Sequence, residues 1–155
     1  MTSLHILYAS TSGHTEYVVG VLADFLAKHA PELVVTRAVA EVAQPDDFTK
    51  ADVLLLASGT WNTGGIEGQL NPHMDVLLKK RAKDVDLAGK ACAAISLGDD
   101  RYYYTGRAVE HLQQFIKTHN GAQALPSLMI VNEPYGQEDK VCKWGQKLLD
   151  TFATR

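Results

Sequence analysis

Apolar residues gather in five short runs, at residues 3–9, 33–39, 52–58, 90–97 and 124–131. Several are unbroken rather than alternating, Val53-Leu54-Leu55-Leu56-Ala57 being the clearest. Unbroken runs of this length predict strands buried on both faces, as in a parallel sheet covered by helices. Between the runs the period becomes helical. Val18, Val21, Leu22, Phe25 and Leu26 fall on one stripe, as do Ala108, Val109, Leu112, Phe115 and Ile116, and then Val141, Trp144, Leu148, Leu149 and Phe152. Asn71-Pro72 reads as an N-cap with proline in the first helical position, opening a helix through Met74, Leu77 and Leu78. Asn120-Gly121 reads as a helix end, whereas residues 41–50 are too few and too polar to predict a helix. Strand and helix alternate along the chain, which predicts a doubly wound α/β sheet with helices on both faces, in a single domain over residues 1–155.

In such sheets ligands bind beyond the carboxyl ends of the strands. Three loops follow such ends, at residues 10–15, 58–65 and 98–106, and so converge on one edge. The first, Ser10-Thr11-Ser12-Gly13-His14-Thr15, carries four hydroxyls and no Lys or Arg, and it leads into a helix. Free N–H groups at a helix start bind anions, so this turn could hold a phosphate through hydrogen bonds rather than ion pairs. An ordinary capped strand–helix turn explains a single Ser-Gly pair equally well. The patterns G-x-x-x-x-G-K-[ST] and G-x-G-x-x-G are both absent, which argues against nucleotide hydrolysis and ordinary dinucleotide binding. The second loop sets Trp61 among glycines, and the third holds Tyr102-Tyr103-Tyr104. Each aromatic could fold back on protein or present a stacking face to a planar ring.

Composition narrows the class further. A net charge of −3 and a pI near 6.0 argue against nucleic acid as the main partner. No apolar run approaches the roughly 20 residues of a membrane span, and no basic segment with a long apolar core opens the chain. Cys92 and Cys142 are too few and too far apart for a disulfide framework, which suits reduced thiols in a cytoplasmic protein. The run Lys79-Lys80-Arg81, with Lys83, reads as a solvated helix end. His5, His29, His73, His111 and His119 show no metal-ligand spacing, and the G-x-S-x-G elbow is missing. A signalling receiver domain would need acidic residues after the first strand, where Tyr8-Ala9-Ser10 stands.

Taken together, Ser10-Thr11-Ser12-Gly13-His14-Thr15-Glu16-Tyr17, Thr60-Trp61 and Gly98-Asp99-Asp100-Arg101-Tyr102-x-Tyr104 resemble the flavodoxin family, of the short-chain type. The resemblance implies a five-stranded parallel sheet of order 2-1-3-4-5 and a non-covalently bound FMN. It places Ser10, Thr11, Ser12, Gly13, His14 and Thr15 on the phosphate, Trp61 on the inner face of the flavin ring and Tyr102 on the outer face. Thr60, Asn62, Gly98, Asp99 and Gly106 would meet the polar edge of the ring, and Tyr104 the ribityl side or the neighbouring loop. Ser58, Gly59, Thr63, Gly64 and Leu97 complete the implied contacts.

The implied function is low-potential, one-electron transfer between a reductase and acceptor redox enzymes, by a monomer in transient complexes. No catalytic residue and no metal are expected, and neither nucleic acid nor membrane. The alternative is an FMN-dependent NAD(P)H:quinone-type oxidoreductase on the same fold. An acidic group about 6 Å from the reduced ring would disfavour its negative charge by roughly 2–3 kcal/mol. Asp99, Asp100 and Glu67 are the candidates for that effect. Two positions depart from the family pattern. Asn62 stands where Gly commonly allows a peptide to turn toward the one-electron-reduced flavin (the semiquinone), which predicts weaker stabilisation of that state. His14 stands where Asn is usual, so its side chain could carry charge toward the phosphate, or its backbone N–H alone could matter.

Overall fold

The computed structural model describes residues 1–61, 69–98, 107–123 and 125–152, and of Trp61 the backbone alone. The first apolar run forms β1 (Ser3–Ala9) and feeds α1 (His14–His29). β2 (Val34–Val39) follows, and a single 3-10 turn (Pro45–Phe48) leads into β3 (Val53–Trp61). A two-residue strand, β4 (Gln69–Leu70), precedes α2 (Pro72–Val76), which widens into a π-type turn (Leu77–Arg81). Next come β5 (Ala91–Gly98), α3 (Ala108–Thr118), the short strands β6 (Ala122–Gln123) and β7 (Leu128–Val131), and α4 (Glu138–Phe152).

The strands pair in the order β2-β1-β3-β5, with β6 and β7 sharing the fifth position beside β5, all parallel. This is the doubly wound order expected from the sequence. Successive side chains of a strand point to opposite faces, and the core divides accordingly. Leu4, Ile6 and Tyr8 pack with α1 and α4, whereas Leu7 and Ala9 pack with α2 and α3. Covering both faces requires apolar residues at consecutive positions, hence the unbroken runs.

Local chemistry sets the helix ends. Asn71 Oδ1 accepts the His73 N–H (2.9 Å) and Pro72 opens α2, as the sequence indicates. After α3, Asn120 takes a left-handed conformation (φ 66°). The Gly121 N–H then reaches the Ile116 carbonyl (2.8 Å) and the Asn120 N–H the Lys117 carbonyl (3.3 Å), a Schellman closure.

Three expectations are revised. β3 runs on to Trp61 instead of ending at Ser58, because β4 pairs antiparallel across Thr60 and Trp61. Of the expected strand at 124–131 only β7 forms, with a short strand, β6, just before it on the other side of Pro126. Proline cannot donate to a ladder, and the Pro126 carbonyl is taken by Trp144 Nε1–H (2.8 Å). Arg81 is more than a solvated helix end: its guanidinium donates to the carbonyls of Ala43 and Ala40, pinning the β2–β3 connection.

The chain leaves β1 toward the face of α1 and α4, and it leaves β3 toward the face of α2 and α3. The crevice between neighbouring strands with opposite departures is the switch point of the sheet, where such folds bind ligands.

Candidate functional site

Ala9 pairs with Ser58, Ser58 with Ser96, and Gly59 with Leu97, so β1 ends beside Ser58 of β3 and Ser96 of β5, at that crevice. Ser10 is half-buried, and its Oγ accepts the Gly13 N–H (3.1 Å), which closes the turn. Gly13 holds φ at +90°, a left-handed conformation that suits glycine. Thr11 and Ser12 are exposed and Thr15 is buried. A Cβ placed on Gly59 would lie 3.8 Å from Thr15 Oγ1, so the first and second loops adjoin. Among the described residues no side chain caps the first turn of α1. That leaves its first amides as donors aimed out of the helix end, among neutral hydroxyls.

The structure assigns other work to two hydroxyls on β3. Ser58 is fully buried; its Oγ donates to the Gly59 carbonyl (3.0 Å) and accepts the Asn71 N–H (3.2 Å). Thr60 Oγ1 accepts the Ala108 N–H (3.1 Å) at the start of α3. The Gly98 carbonyl accepts the Asn132 N–H (2.7 Å), tying the end of β5 to the loop after β7, and Leu97 is buried. Asn62, Thr63, Gly64, Glu67, Asp99, Asp100, Tyr102, Tyr104, Gly106 and the Trp61 side chain lie outside the described residues.

His14 opens α1, and its ring meets the Tyr135 ring edge-on, with centroids 5.7 Å apart. Tyr135 also packs on Tyr17 (4.8 Å). The Tyr17 hydroxyl donates to the Glu138 carboxylate, which also accepts the Gly136 N–H (2.9 Å). The Tyr17 bond raises the phenol above its ordinary value and holds the Glu138 carboxyl below its own. Sequence reasoning did not single out Tyr135 or Glu138. The available signal was Glu133-Pro134-Tyr135-Gly136, an aromatic beside glycine after a strand that ends at this same edge.

A second polar constellation lies away from this edge, midway along β1. His5 is buried, its Nδ1 pairs with Thr36 Oγ1 (2.6 Å), and its Nε2 meets Asp47 Oδ1 (3.0 Å). It joins β1, β2 and the 3-10 turn. Cys92 is also buried, and burial pushes its thiol up to about 11, which leaves it a neutral thiol at neutral pH. Among the described residues no group of three or more His, Cys, Asp or Glu could hold a metal ion, and no helix is long and apolar enough to cross a membrane.

The sequence model of the family described as Flavodoxin matches residues 6–144. The chain belongs to the flavodoxin family. It is 31% identical over 143 residues to a probable flavodoxin 2 of Bacillus subtilis, covering 90% of this chain and 89% of that protein. It is 30% identical over 116 residues to flavodoxin 1 of Azotobacter vinelandii, covering 75% of this chain and 59% of that protein. Among solved structures, oxidised flavodoxin 1 from Bacillus cereus superposes with a TM-score of 0.83 at 21% identity, over 96% of this chain and 97% of that one. That likeness supports the fold. As a short-chain flavodoxin the protein is an FMN-binding electron-transfer protein that works with redox partners. The donor set at α1 fits FMN: a phosphate monoester needs several short-range N–H and O–H donors, and this turn supplies them without a cation.

Proposed function

We propose that this flavodoxin is a low-potential, one-electron carrier rather than an enzyme, holding FMN at the switch point and docking transiently with a reductase and an acceptor enzyme. The observation that carries the reading is the hydroxyl-rich first turn of α1, which no side chain caps among the described residues and which lies beside Gly59 of β3. Ser10, Thr11, Ser12, Gly13, His14 and Thr15 hold the phosphate, His14 through its backbone N–H. Ser58 and Thr60 fix the backbone of the second loop, so that its peptide groups meet the polar edge of the ring. Leu97 and Gly98 bring the third loop to the same edge, where Asp99 and Gly106 contact the ring. Trp61 and Tyr102 supply the two stacking faces, Asn62, Thr63 and Gly64 the turn beside the inner one, and Tyr104 the ribityl side.

FMN, when bound, supplies the redox chemistry. The protein contributes electrostatics: Glu67, Asp99 and Asp100 disfavour added negative charge at the ring, which makes the reduced protein a strong donor. The 155 residues act as one flavin-binding domain, a monomer in the cytoplasm.

The test is spectroscopic and needs no partner. Purified apoprotein titrated with FMN is expected to quench flavin fluorescence to one equivalent, and the yellow complex to accept electrons from NAD(P)H only when a separate reductase is added. A protein that takes up no FMN would overturn the reading. Rapid NAD(P)H:quinone turnover by the purified protein alone would replace it with the enzyme reading.

A further inference from the structure

We infer that Tyr135, with Tyr17 and Glu138, is a positioning group for the phosphate site: it braces the first turn of α1 from the loop after β7. The inference rests on the proposed phosphate role of that turn. His14 and Tyr17 stand three residues apart in α1, the spacing that puts both side chains on one helix face. Tyr135 lies across both rings, 5.7 Å from His14 and 4.8 Å from Tyr17. The Glu138 carboxylate closes the group, accepting the Tyr17 hydroxyl from α1 and the Gly136 N–H from its own loop. Gly136 reaches that position in a left-handed conformation (φ 91°). The loop itself is held at both ends. The Asn132 N–H bonds to the Gly98 carbonyl, and Gln137 Nε2 donates to the carbonyls of Val131 (2.9 Å) and Glu133 (2.7 Å).

The physical reason for a brace lies in the turn. Among the described residues no side chain caps its opening amides, and its first helical hydrogen bond runs from the Tyr17 N–H to the Gly13 carbonyl (2.9 Å). An uncapped first turn frays, and a frayed turn must be ordered again whenever an anion binds. Three packed rings keep it formed beforehand. The His14 ring is engaged with Tyr135, so packing joins its backbone amide in what it adds to the turn.

The experiment compares wild type, Tyr135→Ala and Tyr135→Phe, all as apoprotein. Two quantities are read: FMN affinity by fluorescence quenching, and hydrogen exchange of the Tyr17 amide. An aromatic pair of this kind is worth on the order of 2–10-fold in an equilibrium constant. Tyr135→Ala is expected to weaken FMN binding by about that factor and to speed exchange at the Tyr17 amide, with exchange in β1 and β3 unchanged. Tyr135→Phe keeps the ring and is expected to match wild type in both. FMN affinity within twofold of wild type in Tyr135→Ala, or faster exchange throughout the sheet, would overturn the inference. If wild type takes up no FMN, the functional reading fails, while the exchange arm still decides whether Tyr135 braces the turn.

Discussion

Replacing Asp47 by Ala removes three contacts at once. Asp47 Oδ1 accepts the His5 Nε2–H (3.0 Å) and meets the Lys50 ammonium (3.3 Å), while Oδ2 accepts the Gln44 N–H (2.8 Å) at the start of the 3-10 turn. Loss of the first leaves a buried imidazole donor without its acceptor, at a cost of about 1–3 kcal/mol. Loss of the cap adds about 1 kcal/mol. Lys50 is half-exposed, so its ion pair adds about 0.5 kcal/mol. The expected total is about 3 kcal/mol, which in a domain of this size lowers the melting midpoint by roughly 6–12 °C. The pH dependence carries a definite sign. Burial, then the Lys50 charge, outweigh the Asp47 and Thr36 contacts and lower the His5 pKa below its ordinary 6.5. The native ring is therefore neutral at neutral pH, accepting the Thr36 hydroxyl on Nδ1 and donating Nε2–H to Asp47. The unfolded chain protonates near pH 6.5 while folded His5 resists, so the His5 contribution is full above that pH and is lost as pH falls. Burial would raise the Asp47 pKa, but the Gln44 N–H, Lys50 and His5 contacts outweigh it and hold the carboxyl below 3.8. Its own contribution thus declines only at more acidic pH. Urea unfolding of the apoprotein at pH 7 and 5.5 measures both effects in wild type, Asp47→Ala and the non-titrating His5→Gln. A cost below about 0.5 kcal/mol for Asp47→Ala, or a wild-type loss between the two pH values no larger than that of His5→Gln, would refute the reasoning.

Two further substitutions test how the site is carried by the core. A Cβ on Gly145 of α4 would meet Phe25 Cδ1 at 2.8 Å and Leu22 Cδ1 at 3.0 Å, so Gly145→Val is expected to cost about 1–3 kcal/mol in thermal unfolding, with Gly145→Ala milder because alanine favours the helix. A Gly145→Val melt equal to wild type would show that α1 and α4 approach less closely. Ser58→Ala removes one of two acceptors for the Asn71 N–H, the Gly59 carbonyl (3.2 Å) being the other. It is expected to cost about 1 kcal/mol in urea unfolding and to weaken FMN binding through the shifted Gly59 backbone, and unchanged affinity would separate Ser58 from the site.

Which features the sequence disclosed depends on how far apart the interacting residues lie along the chain. Most strand runs, the Asn71-Pro72 start and the Asn120-Gly121 end are decided within a few neighbouring residues and appear where the pattern puts them, β3 and the last run aside. The break between β6 and β7 is local too, since Pro126 stands inside the run and an edge strand tolerates proline only by giving up ladder bonds. The turn proposed to hold the phosphate is read locally too, Ser10, Thr11 and Ser12 being contiguous. His5 with Asp47, and His14 with Tyr135, leave no such trace. Each pair meets only because the sheet order sets β1 beside β2 and α1 beside the start of α4. No periodicity encodes a contact between residues so separated. A histidine at a helix N-terminus therefore reads, in sequence, as a choice between a charge and a bare amide. The fold adds the third term, the Tyr135 ring at 5.7 Å, and with it the His14 ring becomes part of the packing we infer to brace the turn for an anion.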